Sequence, residues 1–288
     1  MLYKTIVTRS LALALLAAAL AWAGPATAAA PASSGADPQL AQLPPDRQLY
    51  ERYRYWRSTQ PRQLDDEAAL AAYAAQLVAG GTSKADAAKA VDTLRREGKR
   101  LEVERWNEIL TADKPRFNVQ PNAFLVEMVK GRKPGAALDV GMGQGRNALY
   151  LARLGWKVTG FDPAERAVAA ARAAATRLGV PLEAVVADDE SFDWGTGRWD
   201  LIVMSYVGVR NDVERVVRAL RPGGLVVIEA FHRDITRTQS VGGAVVFDTN
   251  ELLALFGKLR VRRYEDAPGP ADFAGKDAPL VRLCAEKP

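Results

Sequence analysis

The sequence predicts an α/β domain, a mostly parallel sheet with helices on both faces, preceded by a helical segment. Three observations predict it. A short apolar strand, residues 136–140, passes through three alternate glycines, Gly141, Gly143 and Gly145, into a helical stretch starting near Arg146 and Asn147. Strand-like and helix-like runs alternate from there to about Ala230, and such alternation builds parallel sheets with crossover helices. Residues 46–110 show helical patterning alone.

A strand that turns through glycines into a helix is a nucleotide-cofactor device. Glycine permits the tight turn and lets a ligand approach with no Cβ in the way. The helix start then offers unpaired N–H groups to an acidic group. The dinucleotide pattern G-x-G-x-x-G would need its third glycine at position 146, where Arg146 stands. The pattern here is D-V-G-x-G-x-G, with Asp139 two places before Gly141.

Composition bounds the reading. The 288 residues suffice for one sizeable domain and an appendage. A net charge of +5 is too mild to argue for nucleic acid, and no Lys/Arg block is interleaved with aromatics. The single cysteine, Cys284, excludes an internal disulfide and a cysteine metal cluster, and the single histidine argues against a His-based zinc site. Cys284 falls in the last apolar strand and reads as buried core.

Lys4 and Arg9, the Leu/Ala run 11–20 and then Ala26-Thr27-Ala28 follow the pattern of a secretory signal peptide over residues 1–30. Export, to the periplasm, is the expectation, with no stable membrane insertion after cleavage. An inner-membrane anchor or a cytoplasmic location is the alternative. Residues 31–45 read as a Pro/Ala-rich linker. In the helical segment 46–115, helices are expected over 47–60, 65–79 and 84–110, the last with a break at Gly98 and Ser83 as N-cap. Tyr50, Tyr53 and Trp56 recur at helical spacing, for packing or for stacking a ligand. Asn118, Gln120 and Asn122 either line a pocket or make turns around Pro121.

The catalytic region is expected over 116–288. A helix spans 122–130. A second strand, 156–161, ends at Asp162, 21 residues after Gly141. An acid at that distance, at the tip of the neighbouring strand, suits two ribose hydroxyls, or caps a helix beginning at Pro163. A third strand, 182–187, ends at Asp188 and Asp189, and a fourth follows Asp200 and ends at Ser205, Tyr206 and Val207. Ligands of open α/β sheets sit at that carboxyl edge. Arg221-Pro222-Gly223-Gly224 is expected to turn into a fifth strand, 225–230, with His232 and Arg233 just beyond it.

From about Phe117 onward the chain resembles class I S-adenosylmethionine (SAM) dependent methyltransferases. The run G-x-G-R-N-x-x-Y-L-A-x-x-G-W-x-V-T-G-F-D looks most like the tellurite-resistance and thiopurine-type small-molecule branch. The resemblance implies a Rossmann-like seven-stranded sheet, mostly parallel, with an antiparallel last strand formed from an end pair at 259–264 and 279–285. It implies SAM as cofactor, held by Asp139 at the amine, by Gly141, Gly143 and Gly145, by Asp162 at the ribose, by Asp188 or else Asp189 at the adenine amine, and with Ser205 beside the methyl group. Asp200, at the start of its strand, is expected to be structural. The absence of N-P-P-Y or D-P-P-Y argues against the amino-group DNA methyltransferases.

The activity implied is in-line methyl transfer from SAM to a small-molecule acceptor. A soft acceptor, a thiol or chalcogen oxyanion, needs little base catalysis. A harder one needs a base, for which His232 is the candidate, with Tyr206 positioning the acceptor. Arg146 and Arg233 are candidates for holding an anionic acceptor, against simple surface solvation. Export conflicts with a cytosolic cofactor, so a non-catalytic SAM- or adenosyl-ligand binding protein on the same fold is the alternative. The oligomeric state is not readable from the sequence.

Overall fold

The computed structural model describes residues 40–60, 65–239, 241–273 and 277–288. The expected signal peptide, and all of the expected linker before Leu40, lie outside the described residues. Two compact units are distinguished, 1–41 and 42–288, and the second carries the sheet and the helices.

The strands of that unit are β1 (Ala136–Val140), β2 (Lys157–Asp162), β3 (Leu182–Val186), β4 (Trp199–Ser205), β5 (Leu220–His232), β6 (Val246–Phe247), β7 (Arg260–Pro270) and β8 (Asp277–Glu286). The sheet order is β3-β2-β1-β4-β5-β8-β7, with β6 against β5. β1 pairs in parallel with β2 and β4, and β5 in parallel with β4. β8 is antiparallel to β5 and to β7. The α/β architecture, with helices flanking a mostly parallel sheet and an antiparallel final strand, is the one expected; the two-residue β6 was not.

The helices are α1 (Pro45–Ser58), α2 (Asp66–Ala79), α3 (Lys84–Leu110), α4 (Ala123–Val129), α5 (Arg146–Arg153), α6 (Glu165–Leu178), α7 (Val213–Ala219) and α8 (Glu251–Leu255). Period-2 alternation puts Leu201 and Val203 of β4 on one sheet face, with Ala148 and Leu151 of α5. Ile202 and Met204 face the other way, into a core shared with Val216 of α7 and Leu252 of α8.

Several boundaries depart from the expectation. α3 is unbroken through Gly98, because one glycine costs only about 1 kcal/mol in a helix and Leu94 and Leu101 bury on either side of it. Ser83 and Asp65 are N-caps, accepting the N–H of Asp86 at 3.1 Å and of Ala68 at 2.7 Å. Arg221–Gly224 does not end a loop; it is a bulged part of β5, where the register against β4 jumps between Trp199 and Leu201. Asp200 is structural: its Oδ2 accepts the Ala136 N–H at 2.7 Å and Arg221 at 2.6 Å, tying the starts of β1, β4 and β5 together.

The amino-terminal helices pack on the sheet domain. Tyr50, Leu70, Tyr73, Leu94 and Leu101 form their own core. Tyr53 and Trp56 ring Tyr73 at 5.2 and 5.0 Å, so the aromatic stripe is packing. At its far end α3 sets Leu110 beside Phe117, Ala164 and Ala167, and the Oδ1 of buried Asn107 accepts the Arg166 N–H at 2.8 Å.

Candidate active site

The glycine turn lies where β1 ends. Gly141, Gly143 and Gly145 have φ of +61°, +55° and +83°, conformations that side-chain-bearing residues rarely adopt. A Cβ on Gly141 would lie 2.4 Å from Val207 Cγ1, and one on Gly143 3.2 Å from Leu110. The turn is thus roofed by Val207 from the end of β4 and by Leu110 from α3. Gly141→Ala is expected to destabilise the fold by about 1–3 kcal/mol through strain and overpacking. Adding Val207→Ala should recover only the overpacking part; full recovery in thermal melts would show that the φ requirement is unimportant.

Asp139 is buried, at 2% exposure. One oxygen has the Ala148 backbone N–H, and Oδ2 has no hydrogen-bond partner. Burial pushes its pKa up to about 7, against the opposing pull of Arg146 and the Ala148 N–H. A buried, unpartnered carboxylate oxygen is costly unless a cationic donor meets it. This orphan therefore fits an ammonium group, such as that of SAM.

Asp162 stands at the tip of β2, next to β1. Its Oδ2 accepts the Gly143 N–H at 2.9 Å and its Oδ1 the Ala164 N–H at 2.8 Å. It is not the N-cap of the next helix, which starts at Glu165 after Ala164. Instead it clamps the glycine turn onto β2. Each oxygen keeps a second lone pair for a ribose hydroxyl. Burial raises its pKa despite the two amides.

Asp188 is engaged by Lys99 of α3, 2.5 Å from its Oδ2, and by the Ser191 N–H at 2.8 Å. The Lys99 bond, then Ser191, hold its carboxyl well below the usual range. Asp189 turns toward Asp212, whose pKa is raised by burial first and by Asp189 among lesser causes. Asp189 and Asp212 border a cleft of about 1250 Å³, beside Arg210 and Tyr55, away from the glycine turn.

Ser205 Oγ accepts from Asn147 Nδ2 at 3.3 Å, and Asn147 Oδ1 accepts the Asn122 N–H at 2.9 Å. Asn122 caps α4 through the Leu125 N–H at 3.0 Å. Its Nδ2 donates to Glu229 Oε1 at 2.7 Å and to Asp272 Oδ2 at 2.8 Å. Tyr206, at φ +58°, donates its hydroxyl to Glu229 Oε1 at 2.7 Å and accepts the Asp272 N–H at 3.1 Å. Burial and Glu229 push its pKa up. Arg282 of β8, directly opposite Glu229 on β5, donates to Glu229 Oε2 at 2.6 Å.

The structure does not bring His232 to this group. Glu229 and Phe231 alternate with His232 along β5, so His232 points to the other side. Its Nδ1 accepts the Asp234 N–H at 3.2 Å, capping the 3-10 turn Arg233–Arg237, and its Nε2 lies 3.0 Å from Thr249 Oγ1. Arg233 pairs with Asp248, also outside the group. Arg146 does belong to it: its guanidinium donates to Asp272 Oδ2 at 2.7 Å and to the Gln120 carbonyl at 3.0 Å. Cys284 is buried, and burial lifts its thiol to about 11.

Glu229, Asp272, Arg282, Asn147 and Leu110 were missed. Two of them carried a signal: Glu229 is a lone acid in the apolar run 225–231, and acids are almost never fully buried unless paired, while Asn147 stands in the G-x-G-R-N run.

The fold, the glycine turn and the two acids at adjacent strand tips are those that the resemblance to class I SAM-dependent methyltransferases implies. Residues 137–224 match a family described as a methyltransferase domain. The chain is 39% identical over 111 residues to a ubiquinone biosynthesis O-methyltransferase of Methylobacterium sp., covering 36% of this chain and 45% of the relative. It is 30% identical over 135 residues to the 2-heptyl-1-hydroxyquinolin-4(1H)-one methyltransferase of Mycobacteroides abscessus, covering 44% and 60%. It is also 28% identical to Hemagglutinin 1 of Eikenella corrodens, covering 56% and 58%. The chain thus spans about half the length of these curated relatives. Among solved structures, the N-methyltransferase NodS from Bradyrhizobium japonicum, in complex with S-adenosyl-L-homocysteine, has a TM-score of 0.50 at 19% identity, covering 65% of this chain and 98% of that one. A protein of echinomycin biosynthesis gives 0.52 at 21%, covering 65% and 93%. These two establish the fold.

Proposed function

We propose that this chain transfers a methyl group from SAM to a small-molecule acceptor. The observation that carries the reading is Asp139: a buried carboxylate with an unpartnered oxygen, beside Arg146, at the end of a glycine turn that Asp162 clamps. Bound SAM would supply an activated methyl on sulfur for in-line displacement. Asp139 would take its ammonium, Arg146 its carboxylate and Asp162 its ribose hydroxyls. Asp188 would take the adenine amine, since Asp189 turns into the other cleft. Alignment and water exclusion are then the domain's main contributions.

The site favours an acceptor that needs no general base. Tyr206 is held as a donor to Glu229, and burial and that carboxylate keep its hydroxyl protonated, so it offers no base. His232 stands elsewhere. A thiol or chalcogen oxyanion meets these conditions. Tyr206→Phe is therefore expected to lower kcat by less than about tenfold and to leave the pH–rate profile unchanged; loss of an acidic limb from the profile would assign Tyr206 the role of general base.

Calorimetric titration of the full chain with SAM tests the reading, with Asp162→Ala as control. Micromolar binding abolished by the substitution is expected. A folded wild-type chain that ignores SAM would sink it, and binding without turnover of any acceptor would favour the adenosyl-binding alternative. Export is proposed on the Lys4/Arg9, Leu/Ala and A-x-A pattern. Sequencing the amino terminus of the periplasmic form should start near Ala29, and an intact Met1 would refute it.

A further inference from the structure

Asp272 and Phe273 lie between β7 and β8 yet sit within the site. Asp272 is 5% exposed. Its Oδ2 takes Arg146 at 2.7 Å and Asn122 at 2.8 Å, and its Oδ1 takes Asn118 Nδ2 at 2.9 Å. Its backbone is bound as well: the carbonyl accepts the Asn118 N–H at 2.7 Å, and its N–H donates to Tyr206 at 3.1 Å. The Phe273 ring stacks on Phe117 at 5.2 Å and meets Tyr206 and Trp106 edge-on at 5.2 and 6.3 Å.

The arrangement is that of a ligand in a receptor. A planar carboxylate is read by an arginine and two carboxamides, and the ring beside it is boxed by three aromatics. The receptor is built on the segment 117–122, α5 and the end of β4, the elements around the glycine turn. The match is incomplete in one respect. Asp272 supplies a carboxylate to Arg146 but no ammonium to Asp139, whose Oδ2 stays unpartnered. An α-amino acid end supplies both charges one bond from a shared carbon. Exchanging the Asp272 carboxylate for such a zwitterion keeps Arg146 neutralised and gives Asp139 its cation.

We propose that Asp272–Phe273 is a resident competitor of the cofactor: a strap whose carboxylate occupies the subsite for the amino-acid end of SAM and must leave Arg146 before the cofactor binds. The proposal rests on the methyltransferase reading. It makes cofactor affinity a property of the β7–β8 connection, tunable without touching any cofactor contact.

The test compares the full-length wild type with the double variant Asp272→Ala, Phe273→Ala, using S-adenosylhomocysteine as probe and 5′-methylthioadenosine, which lacks the amino-acid end, as control. Homocysteine-bearing probe should bind the variant at least tenfold more tightly, and the control equally to both. In the wild type, saturating S-adenosylhomocysteine should speed hydrogen exchange at the Asn118 and Asp272 amides, while the control should not. The exchange readout stands even if the variant folds poorly. Equal affinity with both amides still protected would overturn the strap and leave the methyltransferase reading intact. Binding to neither protein would remove both. Release of the two amides by benzoate as well would assign the subsite to an acceptor carboxylate and overturn the cofactor assignment.

Discussion

Asp139→Asn is expected to weaken SAM binding roughly 30- to 150-fold, the loss of about 2–3 kcal/mol for a buried charged hydrogen bond. The same substitution should stabilise the ligand-free chain at pH 8. Folding raises the Asp139 pKa from 3.8 to about 7, through burial. Folding therefore favours the neutral acid. The penalty on the folded state is absent below pH 3.8, grows as pH rises toward 7 and is complete above it, at about 2–4 kcal/mol. Asparagine never carries that charge and keeps an oxygen for the Ala148 N–H. Wild-type SAM affinity should itself fall as pH drops below about 7, since the ammonium needs the ionised carboxylate. Calorimetry and melts across pH 5–8 check both effects. Wild-type affinity in the variant would end the amine assignment, and identical melts at pH 8 would end the ionisation argument.

Glu229→Ala should produce the largest loss of stability, about 3–5 kcal/mol in urea denaturation. It removes the shared acceptor of Asn122, Tyr206 and Arg282, all buried or nearly so. Arg282 would keep only Glu265, at 3.0 Å, and the Pro270 carbonyl. The substitution should also loosen Asn122, and with it the contact to Asp272. Replacing both ends of the pair, Glu229→Gln with Arg282→Met, should recover part of the loss, because the uncompensated charge disappears. A loss below about 1 kcal/mol for Glu229→Ala would mean that water replaces the carboxylate and that the three partners do not depend on it.

Local chemistry made much of the sheet domain legible. Gly141, Gly143 and Gly145 announce positive φ, Asp139 and Asp162 sit at fixed offsets from them, and the mainly apolar runs 136–140 and 201–204 read as strands. Each signal lies within about twenty residues of its consequence. The misjudged boundaries were those where a neighbour decides. The glycines at 223 and 224 look like a turn but extend a strand, because Lys287, just past β8, pairs with both: its carbonyl accepts the Gly223 N–H at 2.8 Å and its N–H donates to the Gly224 carbonyl at 2.9 Å. Gly98 looks like a break but lies in a helix held by Leu94 and Leu101. His232 has the right chemistry for a base and sits one residue past Phe231, which does touch Tyr206 at 4.9 Å. Strand parity sends its side chain the other way.

The sequence by itself determined the class of domain, the glycine turn and the acids at two adjacent strand tips, since these follow from residue type and short spacing. Tertiary structure alone decided what stands over that turn. Leu110 arrives from α3, Asp272 from 126 residues beyond Arg146, and Arg282 from 53 residues beyond Glu229. Contacts between partners so distant leave no periodicity or local pattern. They arise only when the sheet order brings β8 against β5, and this places the Asp272 carboxylate, from the chain itself, on Arg146.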